Sequence, residues 1–232
     1  VFSEAGGEGF SDGGSDTTAS AANGHIVGID PGHQGENVDM SATEPNGPGS
    51  STMKAKASTG TSGSFSGLPE YQLNLNVSLL LKDILEQHGY QVVMTRTDND
   101  TAISNKERAE LVASQGAEIC VRVHANGDDS SSVSGALTMC PSQQNPYVAK
   151  LSKKSKKLSK NILDSYCKST KFKKRGLSKR DDLTGTNWSK IPVALIEMGF
   201  MTNKTEDKQM QKKQTQKKMV DGIANGIDQY FK

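Results

Sequence analysis

Residues 25–33 read HIVGIDPGH. The apolar run over residues 26–29 has the length of a buried strand, and the Pro-Gly pair directly after it is typical of a tight turn. The turn is flanked by a carboxylate, Asp30, and an imidazole, His33. The stretch therefore predicts a core strand with chemically active side chains at its carboxyl end.

The rest of the chain alternates between helical and strand patterns. Apolar residues recur every three or four positions from Leu73 to Ile84, which predicts an amphipathic helix, and Ser104 with Glu107 forms the pattern of a capping box. This alternation predicts one α/β domain whose open, mostly parallel twisted sheet is flanked by helices on both faces. Further strands are expected over 91–95, 118–124, 135–140 and 192–197, and helices over 70–88, 104–116, 147–169 and 205–231.

Composition excludes several classes of protein. The 232 residues include 28 basic and 26 acidic side chains and are 33% hydrophobic, with no apolar run near the ~20 residues that a membrane-spanning helix needs. Membrane, coiled-coil and collagen-like proteins are thereby excluded. Three cysteines, Cys120, Cys140 and Cys167, argue against a disulfide scaffold, although a bridge between the last two stays open.

Two segments stand apart from the predicted domain core. Residues 1–24 are dominated by Gly, Ser, Thr, Asp and Ala, so we expect a flexible tether ahead of a domain over residues 25–232. The chain starts at Val1 without a signal peptide, and we expect an export signal or anchor to have preceded it. Residues 35–69 are rich in Ser, Gly, Thr and Pro and predict a long loop that forms a wall or lid.

Charge is unevenly distributed along the chain. Residues 1–70 hold nine acids and two bases, whereas residues 150–180 hold thirteen bases and one acid. The basic segment is either a solvated helix face or a surface that attracts an anionic partner. Nucleic acid is not expected as that partner, because no aromatic stacking platform accompanies the lysines.

Two histidines and a glutamate fall where predicted strands end. His33 follows the first strand, while His124 and Glu197 end later strands, and Glu70 opens a helix after the long loop. The carboxyl ends of parallel strands meet at one edge of a sheet, so these side chains are expected to lie together. Two imidazoles and a carboxylate are a usual zinc-binding set in hydrolases, with a second carboxylate as general base. Asp30 is a competing carboxylate, as a metal ligand or as a partner of a histidine.

An ordered set of motifs resembles a known family. The sequence IDPGH at 29–33 is followed by Glu70, by VHAN at 123–126 and by PVALIEMGFMTN at 192–203. Together with GYQV at 89–92, Thr95-Arg96 and Arg108, this set is similar to the zinc-dependent N-acetylmuramoyl-L-alanine amidases of the bacterial cell wall, the amidase type 3 family. The resemblance covers residues 25–232.

The resemblance implies a site and a reaction. One zinc ion per chain would be held by His33, Glu70 and His124, with Glu197 as the catalytic residue. The family cleaves the amide between the lactyl group of N-acetylmuramic acid and L-alanine, so the glycan strand and stem peptide of peptidoglycan are the expected partners. An extracellular, wall-associated location follows, and the segment 150–180 would then meet anionic wall polymers. Arg122 departs from the family, which commonly has a small residue there.

Two other functions remain open from the sequence. A zinc carboxypeptidase on a related scaffold would use a similar set of ligands. A non-catalytic wall-binding module would keep the fold and use the basic helix for adhesion, but it has no physical need for His33, Glu70, His124 and Glu197.

Overall fold

The strands of the main sheet and the helices between them alternate along the chain, as seen in a computed structural model that describes residues 23–232. The strands are β1 (Ile26–Pro31), β2 (Thr43–Pro45), β3 (Met53–Ala55), β4 (Gln91–Met94), β5 (Ile119–Asn126), β6 (Ala136–Cys140), β7 (Lys174–Lys179) and β8 (Val193–Phe200). The helices are α1 (Glu70–Gln87), α2 (Asn105–Ser114), α3 (Ser152–Thr170), α4 (Thr184–Asn187), α5 (Lys204–Met210) and α6 (Lys213–Phe231).

Six of these strands form one sheet in the order β4-β1-β5-β8-β6-β7. Each neighbouring pair is parallel except β6 with β8, which is antiparallel. The central strands β1, β5 and β8 therefore end at the same edge, and the register there pairs His124 with Glu197. Ligand sites in open α/β sheets lie at such an edge.

Helices cover both faces of the sheet. Alternation along β5 sends Val121 and Val123 into a large apolar core shared with α1, α3 and α6. Cys120 lies on the opposite face, in a smaller cluster with Val112 of α2. The predicted α/β class, with a mostly parallel sheet between two helical layers, is confirmed. No helix among residues 23–232 is both long enough and apolar enough to cross a bilayer.

The structure departs from the expected elements in several regions. The last predicted helix is two helices, because Asn203 caps α5 and a separate helix starts after Lys212, where Gln216 Nε2 donates to the free carbonyl of Met210. Strand β7 and the β2–β3 hairpin were not predicted. The hairpin occupies part of the expected loop over residues 35–69.

Candidate metal centre

Three side chains meet at the carboxyl edge of the sheet. His33 follows β1 with its backbone in the left-handed region at φ 64°, Glu70 is the first residue of α1, and His124 lies near the end of β5. Glu70 Oε1 is 3.1 Å from His33 Nε2 and 3.2 Å from His124 Nδ1. The structure thus brings together the three residues that the sequence predicted as metal ligands.

The spacing of these atoms fits a small tetrahedral cation. Ligand atoms bonded to zinc at about 2.0–2.1 Å are about 3.3 Å apart, close to the two distances around Glu70 Oε1. The donor set of two imidazole nitrogens and one carboxylate oxygen leaves the fourth position for water, as in catalytic zinc sites. The residues present therefore fit zinc.

The protonation states also suit metal binding. Burial lowers the pKa of His124 to about 4, so its imidazole is neutral at pH 7 and keeps a lone pair. Burial acts to raise the pKa of Glu70, but hydrogen bonds from His124 and His33 outweigh it and hold the pKa well below its usual range. His33 Nδ1 lies 3.2 Å from Ser58 O and 2.9 Å from Ser58 Oγ, and these contacts hold the imidazole ring in place.

Glu197 lines the same cleft, paired in register with His124. Burial and then the charge of Glu70 raise its pKa to about 8, against the opposing effect of Arg122 and Arg180. Its Oε2 is buried and has no hydrogen-bond partner among residues 23–232. A carboxyl group that titrates near neutral pH is suited to both taking and returning a proton, and a dication bound nearby lowers its pKa by charge attraction.

The cleft above these residues has a volume of about 450 Å³. Several residues that line the cleft were not predicted from the sequence. The motifs could have indicated three of them, because Asp128 and Asp129 follow the HAN motif and Thr202 belongs to the last motif. Asn126, which the sequence indicated as a turn residue, also lines it. The full set of other lining residues is Thr61, Ala125, Asn126, Gly127, Asp128, Asp129 and Thr202.

Asp30 lies beneath the cleft and has a structural role. Its Oδ1 accepts hydrogen bonds from Arg108 Nη1 at 2.8 Å and Thr95 Oγ1 at 2.6 Å, and its Oδ2 accepts from Arg122 Nε at 2.7 Å. The competing interpretation of Asp30 as a metal ligand or histidine partner is therefore wrong. Arg122, where the sequence departs from the family pattern, forms an ion pair with Asp30.

We expect Asp30→Ala to lower the free energy of unfolding by about 3–5 kcal/mol, because two buried arginines lose their counter-charge. Burial acts to raise the pKa of Asp30, but Arg108 and Arg122 outweigh it, so the folded-state pKa is below the unfolded value. The stabilisation is present at neutral pH and is lost as the pH falls below about 4. Urea unfolding at pH 7 measures it, with the exposed Asp83→Ala as control. Equal losses in both variants would contradict this role.

The cysteines are not cross-linked. Cys120 and Cys140 are buried and Cys167 is half-buried, and all three are free thiols in the structure. Burial raises the pKa of Cys167 to about 11, so this thiol is protonated at neutral pH. The pairing that the sequence left open is therefore absent.

Two imidazoles, a carboxylate and a second buried carboxyl at the edge of an open α/β sheet define a metallohydrolase type of site. Comparison with known proteins narrows the class: a family model described as N-acetylmuramoyl-L-alanine amidase matches residues 27–229. The chain belongs to the N-acetylmuramoyl-L-alanine amidase family.

Individual relatives agree with this assignment. The chain is 29% identical over 220 residues to an N-acetylmuramoyl-L-alanine amidase of Mycobacterium tuberculosis, covering 92% of this chain and 90% of that one. It is 29% identical over 166 residues to the amidase LytC of Bacillus subtilis, covering 72% of this chain but 32% of LytC. The amidase Ami1 of Mycobacterium abscessus superposes with a TM-score of 0.80 at 27% identity, covering 90% of this chain and 99% of Ami1.

Proposed function

We propose that residues 25–232 form the catalytic domain of a zinc-dependent amidase that cleaves the bond between the lactyl group of N-acetylmuramic acid and L-alanine. The observation that carries the proposal is the meeting of His33, Glu70 and His124 in one cleft with the buried carboxyl of Glu197. His33, Glu70 and His124 would hold one zinc ion per chain. Glu197 is the proposed catalytic residue.

The reaction needs a polarised carbonyl, an activated water and a protonated leaving group. When bound, zinc polarises carbonyl groups and lowers the pKa of water toward 7. Ionised Glu197 takes the proton from the attacking water as the carbon–oxygen bond forms. The same carboxyl then delivers that proton to the nitrogen of L-alanine as the carbon–nitrogen bond breaks. The water supplies one hydroxyl group to the lactyl carbonyl and one proton to the amine.

Product analysis tests the reaction directly. Purified muropeptides are digested and the products are identified by mass spectrometry after labelling of new amines. The amidase releases intact stem peptides with a free amine on L-alanine, together with glycan that carries a lactyl carboxylate. Release of a carboxyl-terminal amino acid alone would instead identify a carboxypeptidase, and binding without any cleavage would identify a wall-binding module.

Family membership implies action at the cell envelope, and we propose secretion to the wall as the finer location. The exposed bases of residues 150–180 support a contact there with anionic wall polymers. Six lysines of α3 are exposed, and within residues 23–232 only Lys160 among them forms an ion pair, with Asp164. These six are Lys153, Lys154, Lys156, Lys157, Lys160 and Lys168.

Replacing Lys153, Lys154 and Lys156 by glutamine should weaken binding to walls that carry anionic polymers by roughly tenfold to a hundredfold at low salt. The control variant replaces three exposed lysines elsewhere, Lys208, Lys212 and Lys213, and loses the same charge. Cosedimentation with native and with acid-stripped walls measures the effect. Equal loss in both variants, or binding that is unchanged on native walls, would show that α3 is only a solvated face.

A further inference from the structure

A segment ahead of α1 touches two of the three metal ligands. Residues 58–66, here called the strap, cross the cleft edge before the chain enters the helix. Ser58 Oγ lies 2.9 Å from His33 Nδ1, and the Thr61 amide donates to Glu70 Oε2 at 2.9 Å. Gly60 has φ +77°, and a methyl group there would overlap Glu70 Oε2 and the His33 ring. The strap is therefore packed against the ligands themselves.

The far end of the strap is fixed by a carboxylate of α5. Asp207 is fully buried; its Oδ2 accepts from the Phe65 and Ser66 amides at 2.9 and 2.8 Å, and its Oδ1 accepts from Ser66 Oγ at 2.6 Å. The Ser64 amide also donates to Met201 O at 3.0 Å. One carboxylate with three hydrogen bonds thus joins the strap to α5.

We infer that Asp207 is a positioning residue for the metal centre, acting through the strap. The inference rests on the proposed metal-binding role of His33 and Glu70. Asp207 fixes residues 65–66, the strap carries that constraint to Ser58 and Thr61, and these two hold the ring of His33 and the second oxygen of Glu70.

The strap would affect zinc affinity because ligand side chains that are free to move must be fixed in one orientation on binding, and this ordering costs free energy. Groups that hydrogen-bond to metal ligands typically change metal affinity by about 10–100-fold when they are removed. The backbone of His33 is in the left-handed region, which residues other than glycine rarely adopt. His33 therefore needs such support from its neighbours. The strap is thus part of the metal site.

The test compares zinc affinity in variants at α5. Asp207→Ala removes all three hydrogen bonds and should weaken zinc binding roughly tenfold, measured by competition with a chromophoric chelator. Asp207→Asn should restore most of the affinity, because its amide oxygen can accept from both strap amides and its NH₂ can donate to the Ser66 hydroxyl. The control, Glu206→Ala, removes a neighbouring buried carboxylate that accepts from the Phe200 and Gly135 amides, and should leave zinc affinity unchanged.

A second variant keeps the Asp207 carboxylate and tests the inference even if Asp207→Ala fails to fold. A methyl group at Gly63 would overlap Ser66 Oγ and Asp207 Oδ1, so Gly63→Ala should displace the strap and also weaken zinc binding. Wild-type affinity in folded Asp207→Ala and Gly63→Ala would overturn the inference. Failure of the wild-type protein itself to bind zinc would instead reject the proposed function.

Discussion

Glu197→Gln is expected to lower kcat by about 10²–10⁴-fold while one zinc ion per chain stays bound. The substitution keeps the size of the side chain but removes the group that takes the proton from water and returns it to the leaving nitrogen. Because Glu197 belongs to β8 and the proposed ligands belong to other elements, the metal should be retained. Turnover of purified muropeptides and metal analysis of the same sample measure both quantities.

The matched control for this variant is Glu86→Gln, an exposed glutamate on α1 that is paired only with Lys82. It changes the same atoms and should leave kcat and zinc content unchanged. Turnover near the wild-type rate in Glu197→Gln would remove this residue from the mechanism. Loss of zinc together with activity would mean that Glu197 supports the metal site instead of moving a proton.

His124→Ala is expected to lose both zinc and activity. The substitution removes one of three proposed ligands from the buried end of β5, and water alone must replace an imidazole that burial keeps neutral. We expect substoichiometric zinc after dialysis and turnover at the background level. Inductively coupled plasma mass spectrometry and the muropeptide assay measure these two results.

His25→Ala is the control for the histidine substitution. His25 lies away from the cleft, where it contacts Glu118 at 2.9 Å and stacks on Phe231. This variant should bind one zinc ion and turn over normally. Stoichiometric zinc in His124→Ala would contradict the assigned ligand set, and Asp128 or Asp129 in the cleft lining would be the next candidates.

Local sequence signals predicted the elements that carry the site. Ser104 and Glu107 form the expected capping box, and α1 begins at Glu70, where the sequence placed a helix start. Apolar runs that stop at a polar residue predicted the strands before His33, His124 and Glu197, although β5 and β8 continue past the predicted ends to Asn126 and Phe200. Parallel pairing places these three residues at one edge of the sheet, and the helix start at Glu70 completes the cluster.

Other features depend on contacts that no local pattern encodes. Strand β7 pairs only with β6 at the edge of the sheet, and its polar sequence KRGLSK lacks the apolar content of a core strand. The contact between Asp207 and the strap joins residues 141 and 142 positions apart. The ion pair of Asp30 with Arg122 likewise spans 92 positions, which is why the sequence left the role of Asp30 open.

Metal analysis of the purified chain, combined with digestion of muropeptides, tests most directly whether the cleft is the active site of a zinc amidase. The purified chain is assayed for metal, then incubated with muropeptides before and after treatment with a chelator. We expect one zinc ion per chain, release of stem peptides with a free L-alanine amine, loss of that release on chelation and its recovery when zinc is returned. Cleavage that persists in a demonstrably metal-free sample, or no cleavage by the zinc-loaded chain, would contradict this expectation.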